Sequence, residues 1–181
     1  MSLRLFTAIR PPEEILARLA HFPYDAPRLA WRPYENLHIT LCFHGEIPED
    51  IARDLDRELD AIRREPFELR LQGAGVFNGR SPGALWIGLA PSPVLSDLAQ
   101  ACARAGRRAG APADPSPFRP HLTLAYGRNA RDTDAAEFIQ RFSPFVSESF
   151  WVDACSLYSS WRTRSGGQYV EEARYTLGRA L

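Results

Sequence analysis

The amino-acid sequence predicts a mixed fold of helices and strands, of the α+β or α/β type. Four segments carry apolar residues at helical spacing, and seven others carry the apolar and β-branched runs typical of strands. Both kinds of segment occur in both halves of the chain. The length of 181 residues, 45% of them apolar, suits one compact domain or two small lobes that share a core.

Each predicted helix is marked by a stripe of apolar side chains. The first stripe follows residues 11–14, two prolines and two acids, which favour a helix start. In chain order the stripes are Ile15, Leu16 and Leu19; Ile51, Leu55, Leu59 and Ile62; Val94, Leu95, Leu98 and Cys102; and Ala135, Phe138, Ile139 and Phe142.

The predicted strands lie between these stripes. Residues 106–120 contain four prolines, so they cannot be regular throughout and are predicted to form a long connection into the strand that follows. The strand-like runs are residues 3–9, 37–43, 67–72, 84–89, 121–126, 150–158 and 169–177.

The charged residues limit the chemistry that the protein can use. Its 22 basic residues are all arginines and balance 22 acids. The absence of lysine excludes Schiff-base catalysis and a P-loop lysine, and it leaves the guanidinium group as the cation for phosphate oxygens. Because the net charge is zero, any polyanion must be bound by a local group of residues.

The apolar runs and the cysteines indicate a protein of the cytoplasm. The apolar runs are far shorter than the roughly 20 residues that span a bilayer, and residues 1–10 lack the pattern of an export signal. Cys42, Cys102 and Cys155 lie far apart in sequence. We expect them to be buried thiols in a reducing compartment.

One four-residue pattern occurs twice, 83 residues apart: His38-Ile39-Thr40-Leu41 and His121-Leu122-Thr123-Leu124. Each copy opens a predicted strand. Side chains alternate along a strand, so the histidine and threonine of each copy share one face, about 6.5 Å apart, while the aliphatic residues face the core. By the same alternation Phe43 and Tyr126 are expected on the core side.

Two facing imidazoles can act as a general acid and a general base near neutral pH. The threonine hydroxyls would donate hydrogen bonds to oxygens on which charge builds up. A phosphodiester is the bond most naturally cut in this way without a metal. Two alternatives stay open: the histidines are satisfied structural residues, or they bind a metal together with His44 and His21.

The paired motifs resemble those of the two-histidine phosphoesterase superfamily. The flanking segments resemble its LigT-like branch, the bacterial and archaeal RNA 2',3'-cyclic phosphodiesterases, also named 2'-5' RNA ligases. The resemblance covers essentially the whole chain, residues 1–181, as a single domain. Beyond the motifs it rests on residues 4–9, 33–37, 45–46, 118–120 and 157–160.

The resemblance implies an α+β fold in which two antiparallel sheets, related by a pseudo-two-fold axis, line a central cleft, with the helices outside. Each lobe carries one motif. It also implies metal-independent hydrolysis of an RNA 2',3'-cyclic phosphate to a 2'-phosphate, without a cofactor. His38 would protonate the leaving 3'-oxygen, His121 would activate water, and Thr40 and Thr123 would hold the phosphate. Reversal of the reaction exchanges the two histidine roles.

Three further residues are candidates for substrate binding. Arg119 shares the alternation of the second motif and could contact phosphate or ribose. Many family members have an arginine after Leu-Ala in the second motif, whereas here Tyr126 and Gly127 precede Arg128, so Arg128 is the second candidate. His44 would continue the face of His38 if the strand runs that far; otherwise it is a turn residue.

The sequence supports two classes of function. The first is the cyclic phosphodiesterase, with 2'-5' RNA ligation as its possible reverse reaction. The second is a non-catalytic module that binds RNA ends carrying a 2'-phosphate or a cyclic phosphate. In either case we expect a monomer with RNA as its partner and no contact with a membrane.

Overall fold

A computed structural model describes residues 2–20, 26–78, 82–112, 116–127, 130–163 and 166–178. Eight of the strands form one antiparallel sheet, in the order β10-β9-β1-β3-β7-β6-β5 with β2 also beside β7, and β4 and β8 form a small second sheet. The strands are β1 (Ser2–Ile9), β2 (Ala30–Trp31), β3 (Ile39–Pro48), β4 (Phe67–Leu69), β5 (Leu71–Asn78), β6 (Pro82–Leu89), β7 (His121–Tyr126), β8 (Phe150–Val152), β9 (Ala154–Thr163) and β10 (Gly166–Thr176).

The four predicted helices are all present, so the α+β class is confirmed. They are α1 (Glu13–Ala20), α2 (Glu49–Asp60), α3 (Pro93–Ala109) and α4 (Asp132–Phe142). The longest, α3, has clear boundaries in the sequence. The side chain of Ser92 accepts a hydrogen bond from the N–H of Leu95, Pro93 occupies the first turn, and Gly110 ends the helix at a φ of +87°.

The pseudo-two-fold relation is visible in the order of the strands. Around the central neighbours β3 and β7, the sheet reads β9-β1-β3 on one side and β5-β6-β7 on the other. Each motif strand thus has an equivalent neighbour and an equivalent next neighbour. The outer strands are exchanged between the two repeats. Strand β5 follows β1, β3 and α2 in the chain, yet it pairs with β6 beside the second motif strand. Strand β9 follows β6, β7 and α4, yet it pairs with β1 beside the first motif strand.

The expected pair of sheets is joined into one sheet at the centre. Ile39 opposite Leu122 is the pair recorded between β3 and β7. Beyond this pair β3 and β7 diverge. The short strand β2 pairs with β7 at Ala125 and Tyr126, where β3 does not reach. The sequence did not predict β2, because two residues are too few to show a periodic pattern.

Two predicted strands are each divided in the structure. The run 67–72 becomes β4 and β5, and the run 150–158 becomes β8 and β9. The breaks fall at single residues, Arg70 and Asp153. On one side of each break the strand belongs to the small sheet, and on the other side it belongs to the large one. Periodicity cannot reveal such a change of sheet, since the residues on both sides are strand-like.

A β-bulge occurs at the same point in both motifs. Leu41 of β3 is an extra residue relative to β1, and Leu124 of β7 is an extra residue relative to β6. A bulge interrupts the alternation of faces. Phe43 and Tyr126, expected on the core side, are instead 45% and 41% exposed. The expectation from simple alternation was therefore wrong for these two residues.

The buried side chains form a continuous core beneath the sheet. It contains Ile39 and Leu122 from the centre of the sheet and apolar residues from all four helices. None of the helices in the described ranges has the length and apolar character needed to cross a membrane. Of the three cysteines, Cys102 and Cys155 are buried as expected, whereas Cys42 is partly exposed.

Truncation of Leu98 tests this packing. Leu98 lies on α3 and is fully buried, so Leu98→Ala should lower the free energy of unfolding by about 2–5 kcal/mol through lost burial and a cavity. Val94 on the same helix is 45% exposed, and Val94→Ala should change it by less than about 0.5 kcal/mol. Urea denaturation measures both. Equal losses for the two variants would contradict the orientation of α3.

Candidate active site

The two motifs meet where β3 and β7 adjoin. Ile39 lies opposite Leu122. Extending that register by one residue in each direction sets His38 opposite Thr123 and Thr40 opposite His121. Ile39 and Leu122 are fully buried, whereas the two histidines and two threonines are partly exposed on the other face of the sheet. All four polar side chains therefore share one face, as the alternation predicted.

Both imidazoles are held in the same orientation. The Nδ1 atom of His38 lies 2.7 Å from the carbonyl oxygen of Asn36, and the Nδ1 atom of His121 lies 2.6 Å from that of Arg119. A carbonyl oxygen only accepts hydrogen bonds, so Nδ1 is the protonated donor in each ring. Nε2 is then the atom of each ring that can give or take a proton at the site.

The turn before the first motif is fixed from two directions. The Asn36 side chain donates a hydrogen bond of 2.8 Å to the carbonyl oxygen of Gly167, which ties this turn to β10. The guanidinium of Arg10 donates to three carbonyl oxygens of the same segment, those of Tyr34, Glu35 and Leu37. The carbonyl that orients His38 is therefore part of a rigid turn.

Both imidazoles are neutral at pH 7 in the free protein. The pKa of His38 is lowered to about 4, chiefly because burial disfavours the charged ring. The charges of Arg32 and Arg10, and that of His121 when it is protonated, act in the same direction, while the hydrogen bond to Asn36 opposes them. Burial also lowers the pKa of His121, against its hydrogen bond to Arg119.

Aromatic rings flank each imidazole and account for much of this burial. The rings of Phe6 and Tyr169 lie 5.0 Å and 5.2 Å from that of His38, between centroids. On the other side, the ring of Phe77 meets His121 edge-on at 4.8 Å. These contacts could not be predicted from the sequence, because each ring comes from a strand remote in sequence from the histidine that it touches.

A cavity of about 610 Å³ opens beside the motifs, in the gap where β3 and β7 diverge. Thr40 and His121 form the end nearest the motifs. The walls are the outer part of β3, one face of α3 and residues 116–119. Its apolar surface includes three phenylalanine rings, those of Phe43, Phe77 and Phe118. The arrangement offers polar groups at one end and flat apolar surfaces at the other.

His44 does not face this site, which corrects the expectation that it contacts substrate. A second irregularity in β3 makes His44 an extra residue relative to β1, and its side chain turns inward until only 1% is exposed. Its Nε2 lies 3.4 Å from the Thr7 hydroxyl. A Cβ atom at Gly106 would lie 2.7 Å from its Nδ1, so α3 packs directly against the ring.

The structure describes only some of the other candidate residues. Arg119 is exposed and lines the cavity, and its carbonyl oxygen orients His121. Arg128 and His21 lie outside the described residues. Within the described ranges, no cluster of three or more His, Cys, Asp or Glu side chains could hold a metal ion.

Arg32 belongs to the site although the sequence analysis did not select it. Its guanidinium lies over the rings of Tyr126 and Tyr169, at 5.6 Å and 5.2 Å from their centroids. Its charge acts on His38. A single arginine in a loop before the first motif has no pattern that distinguishes it from a surface residue, so only the structure reveals its position.

The chain is similar in sequence to known proteins over most of its length. The family model described as the 2'-5' RNA ligase superfamily matches residues 8–164. An RNA 2',3'-cyclic phosphodiesterase of Escherichia coli (strain K12) is 32% identical over 180 residues, which cover 96% of each chain. A protein of the same name from Archaeoglobus fulgidus is 35% identical over 118 residues, or 64% of each chain.

Solved structures resemble the fold over almost its whole length. The crystal structure of E. coli LigT in its apo form superimposes with a TM-score of 0.82 at 28% identity, covering 98% of this chain and 99% of that one. The structure of E. coli LigT complexed with 3'-AMP gives a TM-score of 0.75 at 31% identity, covering 99% and 100%.

The interior position of His44 predicts a pH dependence of stability. Burial lowers its pKa to about 4, whereas an unfolded histidine titrates near 6.5. Between these values the unfolded chain binds more protons, so the free energy of unfolding falls as the pH is lowered from 6.5 towards 4.

The variant His44→Gln should remove up to about 1.4 kcal/mol per pH unit of that slope. Urea denaturation at several pH values from 4 to 7.5 measures it, and circular dichroism at pH 7.5 controls for folding. An unchanged slope would show that His44 titrates normally and is accessible to water.

Proposed function

Since this chain belongs to the 2'-5' RNA ligase superfamily, we propose that it hydrolyses RNA 2',3'-cyclic phosphate ends to 2'-phosphomonoesters. One observation carries the proposal. Two imidazoles lie on one face of the sheet, each with Nδ1 bound to a backbone carbonyl and Nε2 left for proton transfer. Relatives across most of the chain's length are RNA 2',3'-cyclic phosphodiesterases by name, which supports this substrate.

The reaction requires one proton to be taken and another to be given. Nε2 of His121 takes a proton from water as its oxygen bonds to phosphorus. The bond from phosphorus to the 3'-oxygen breaks, and Nε2 of His38 gives that oxygen a proton. The products are a 2'-phosphate and a free 3'-hydroxyl. Solvent then returns the proton from His121 to His38, which restores the starting state.

The threonines and the cavity serve the substrate in this scheme. The hydroxyls of Thr40 and Thr123 donate hydrogen bonds to the non-bridging oxygens, on which charge builds up during the reaction. The terminal nucleoside occupies the cavity beside His121, where phenylalanine rings offer stacking surfaces. Arg119 at the cavity wall contacts the phosphate of the preceding nucleotide. No step in this scheme uses a metal ion or cofactor.

The domain arrangement in this proposal is one unit with two lobes, each contributing one motif, that acts as a cytoplasmic monomer on RNA. The exchange of β5 and β9 between the two halves of the sheet supports a single unit, since neither half completes its own sheet. Ligation of 2'-5' ends is the reverse of the same chemistry and requires ends that are concentrated or aligned.

A second candidate function is a module that binds RNA ends without turnover. The lowered pKa of His38 favours it, because a neutral ring cannot donate a proton. The two functions differ in the response of His38 to the substrate. In the enzyme, the negative phosphate must raise the pKa of His38 until the ring is protonated.

Substitution of the two histidines separates these functions. With a short oligonucleotide ending in a 2',3'-cyclic phosphate and EDTA present, the wild type should form a 2'-phosphate. His38→Ala and His121→Ala should each reduce the rate at least about 10²-fold, because each removes a proton-transfer group. Chromatography that resolves 2'- from 3'-phosphates measures both rate and product.

The variant His44→Gln is the matched control, since it removes an imidazole that faces the interior, and its rate should stay within about twofold of the wild type. Full activity in either of the other two variants would overturn the roles assigned here. Tight binding of the oligonucleotide by a wild type that forms no product would establish the end-binding module.

The rate should depend on pH in a bell shape. Burial lowers both histidine pKa values in the free protein, so the maximum of kcat/KM should lie below pH 6.5. The bound phosphate favours the charged rings, so the maximum of kcat should lie at higher pH. Steady-state kinetics from pH 4 to 9 measure both profiles. A flat kcat profile between pH 5 and 9 would contradict proton transfer by this pair in the limiting step.

A further inference from the structure

Arg32 is attached to the strand of the second motif. It directly follows β2, and its backbone N–H donates a hydrogen bond of 2.8 Å to the carbonyl oxygen of Leu124, the bulge residue of β7. The next residue is Pro33, which restricts Arg32 to an extended conformation. The neighbouring Trp31 packs against Phe138 and Phe142 of α4 on the core side. The backbone of Arg32 is therefore fixed, with its side chain on the opposite face.

The guanidinium of Arg32 links the two halves of the site. It contacts both the ring of Tyr126 on β7 and the ring of Tyr169 on β10. The Tyr169 ring also packs edge-on against His38, at 5.2 Å between centroids. The positive charge is thus held one aromatic ring away from the first imidazole, and its effect on the pKa of His38 agrees with that position.

One nitrogen of the Arg32 guanidinium is an unused hydrogen-bond donor. Its Nη2 is buried and has no hydrogen-bond partner among the described residues. Leaving a buried donor of a charged group unpaired is destabilising, because the donor has lost its hydrogen bonds to water. Nearby arginines are paired: Arg28 bonds to Asp134, and Arg10 bonds to Glu13 and three carbonyl oxygens. An anion is the partner whose chemistry would satisfy Nη2.

We propose that Arg32 binds the phosphate of the substrate, with Nη2 donating a hydrogen bond to a non-bridging oxygen next to His38. This inference rests on the proposed function for the identity of the anion. Tyr126 is 41% exposed, and in this proposal its ring turns outward to uncover Nη2 when phosphate binds. Tyr169 stays in place, because its ring is packed against both Phe6 and His38.

Arg32 would also couple binding to protonation. In the free protein its charge adds to the larger effect of burial in keeping the nearby imidazole neutral. The single negative charge of a bound cyclic phosphate offsets that of Arg32, so the pKa of His38 rises and the ring then takes a proton from solvent. His38 is thereby protonated, and able to act as the proton donor, only when a phosphate is bound. Arg32 acts on the substrate through its hydrogen bond and on His38 through its charge.

The test compares Arg32→Met, which keeps an apolar side chain of similar length without charge, with Arg32→Lys, which keeps the charge without the planar fork. Arg28→Met is the matched control from the same segment, since Arg28 is already paired with Asp134. Inorganic phosphate is the binding probe, measured by calorimetry. Proton NMR follows the titration of His38, and the cyclic phosphate oligonucleotide reports kcat and KM.

Arg32→Met should bind phosphate at least tenfold more weakly and lose about 10²-fold in kcat/KM. The pKa of His38 should rise in the free variant and respond less to phosphate. Arg32→Lys should restore the pKa of His38 and part of the phosphate affinity, because a lysine carries the charge but cannot form the fork. The melting temperature of Arg32→Met should not fall, since an unpaired buried charge is removed.

Phosphate affinity within twofold of the wild type in Arg32→Met would overturn the proposal. Equal losses in Arg32→Met and Arg28→Met would overturn it too, because they would indicate a structural role of the whole segment. If the wild type binds phosphate but forms no product, the proposed hydrolysis fails. The comparison of phosphate affinities still decides the role of Arg32 in that case.

Discussion

The contact between Ile39 and Leu122 is the point on which the rest of the site depends. It joins two halves of a sheet through one residue pair, with both side chains fully buried. Because the pairing stops there, the strands diverge, leaving a cavity on one side and room for β2 on the other. A longer ladder would bring the same histidines together but close both spaces. Because the two strands pair over so short a length, their junction leaves room for a site.

The bulges explain how far the sequence could predict this arrangement. Up to the third residue of each motif, simple alternation holds, so His38, Thr40, His121 and Thr123 share a face as predicted. At Leu41 and Leu124 the alternation is interrupted, so Phe43 and Tyr126 are exposed instead of facing the core, as simple alternation would have them. The expectation for His44 was wrong for the same reason, because β3 has a second irregularity at that residue. No residue type at these positions announces a bulge, so the pattern alone could not show it.

Residues that reach the site from remote strands were invisible for a different reason. Phe6, Tyr169 and Arg32 approach His38 from three other segments of the chain, and none of them belongs to a recurring pattern. Their shared effect is to surround the imidazole with apolar rings and positive charge, both of which favour its neutral form. The motif supplies the two imidazoles, whereas the tertiary packing around it sets their protonation state.

The exchange of the outer strands has a consequence for how the chain reaches this structure. Ala8 of β1 pairs with Ser156 of β9, so one side of β1 can be paired only by residues far later in the chain. Contacts of such large sequence separation carry a high loop-closure entropy, and proteins rich in them fold slowly. During synthesis β1 emerges long before its partner and must remain unpaired on one side. We expect the pairing of β1 with β9 to be a late step in the assembly of the sheet.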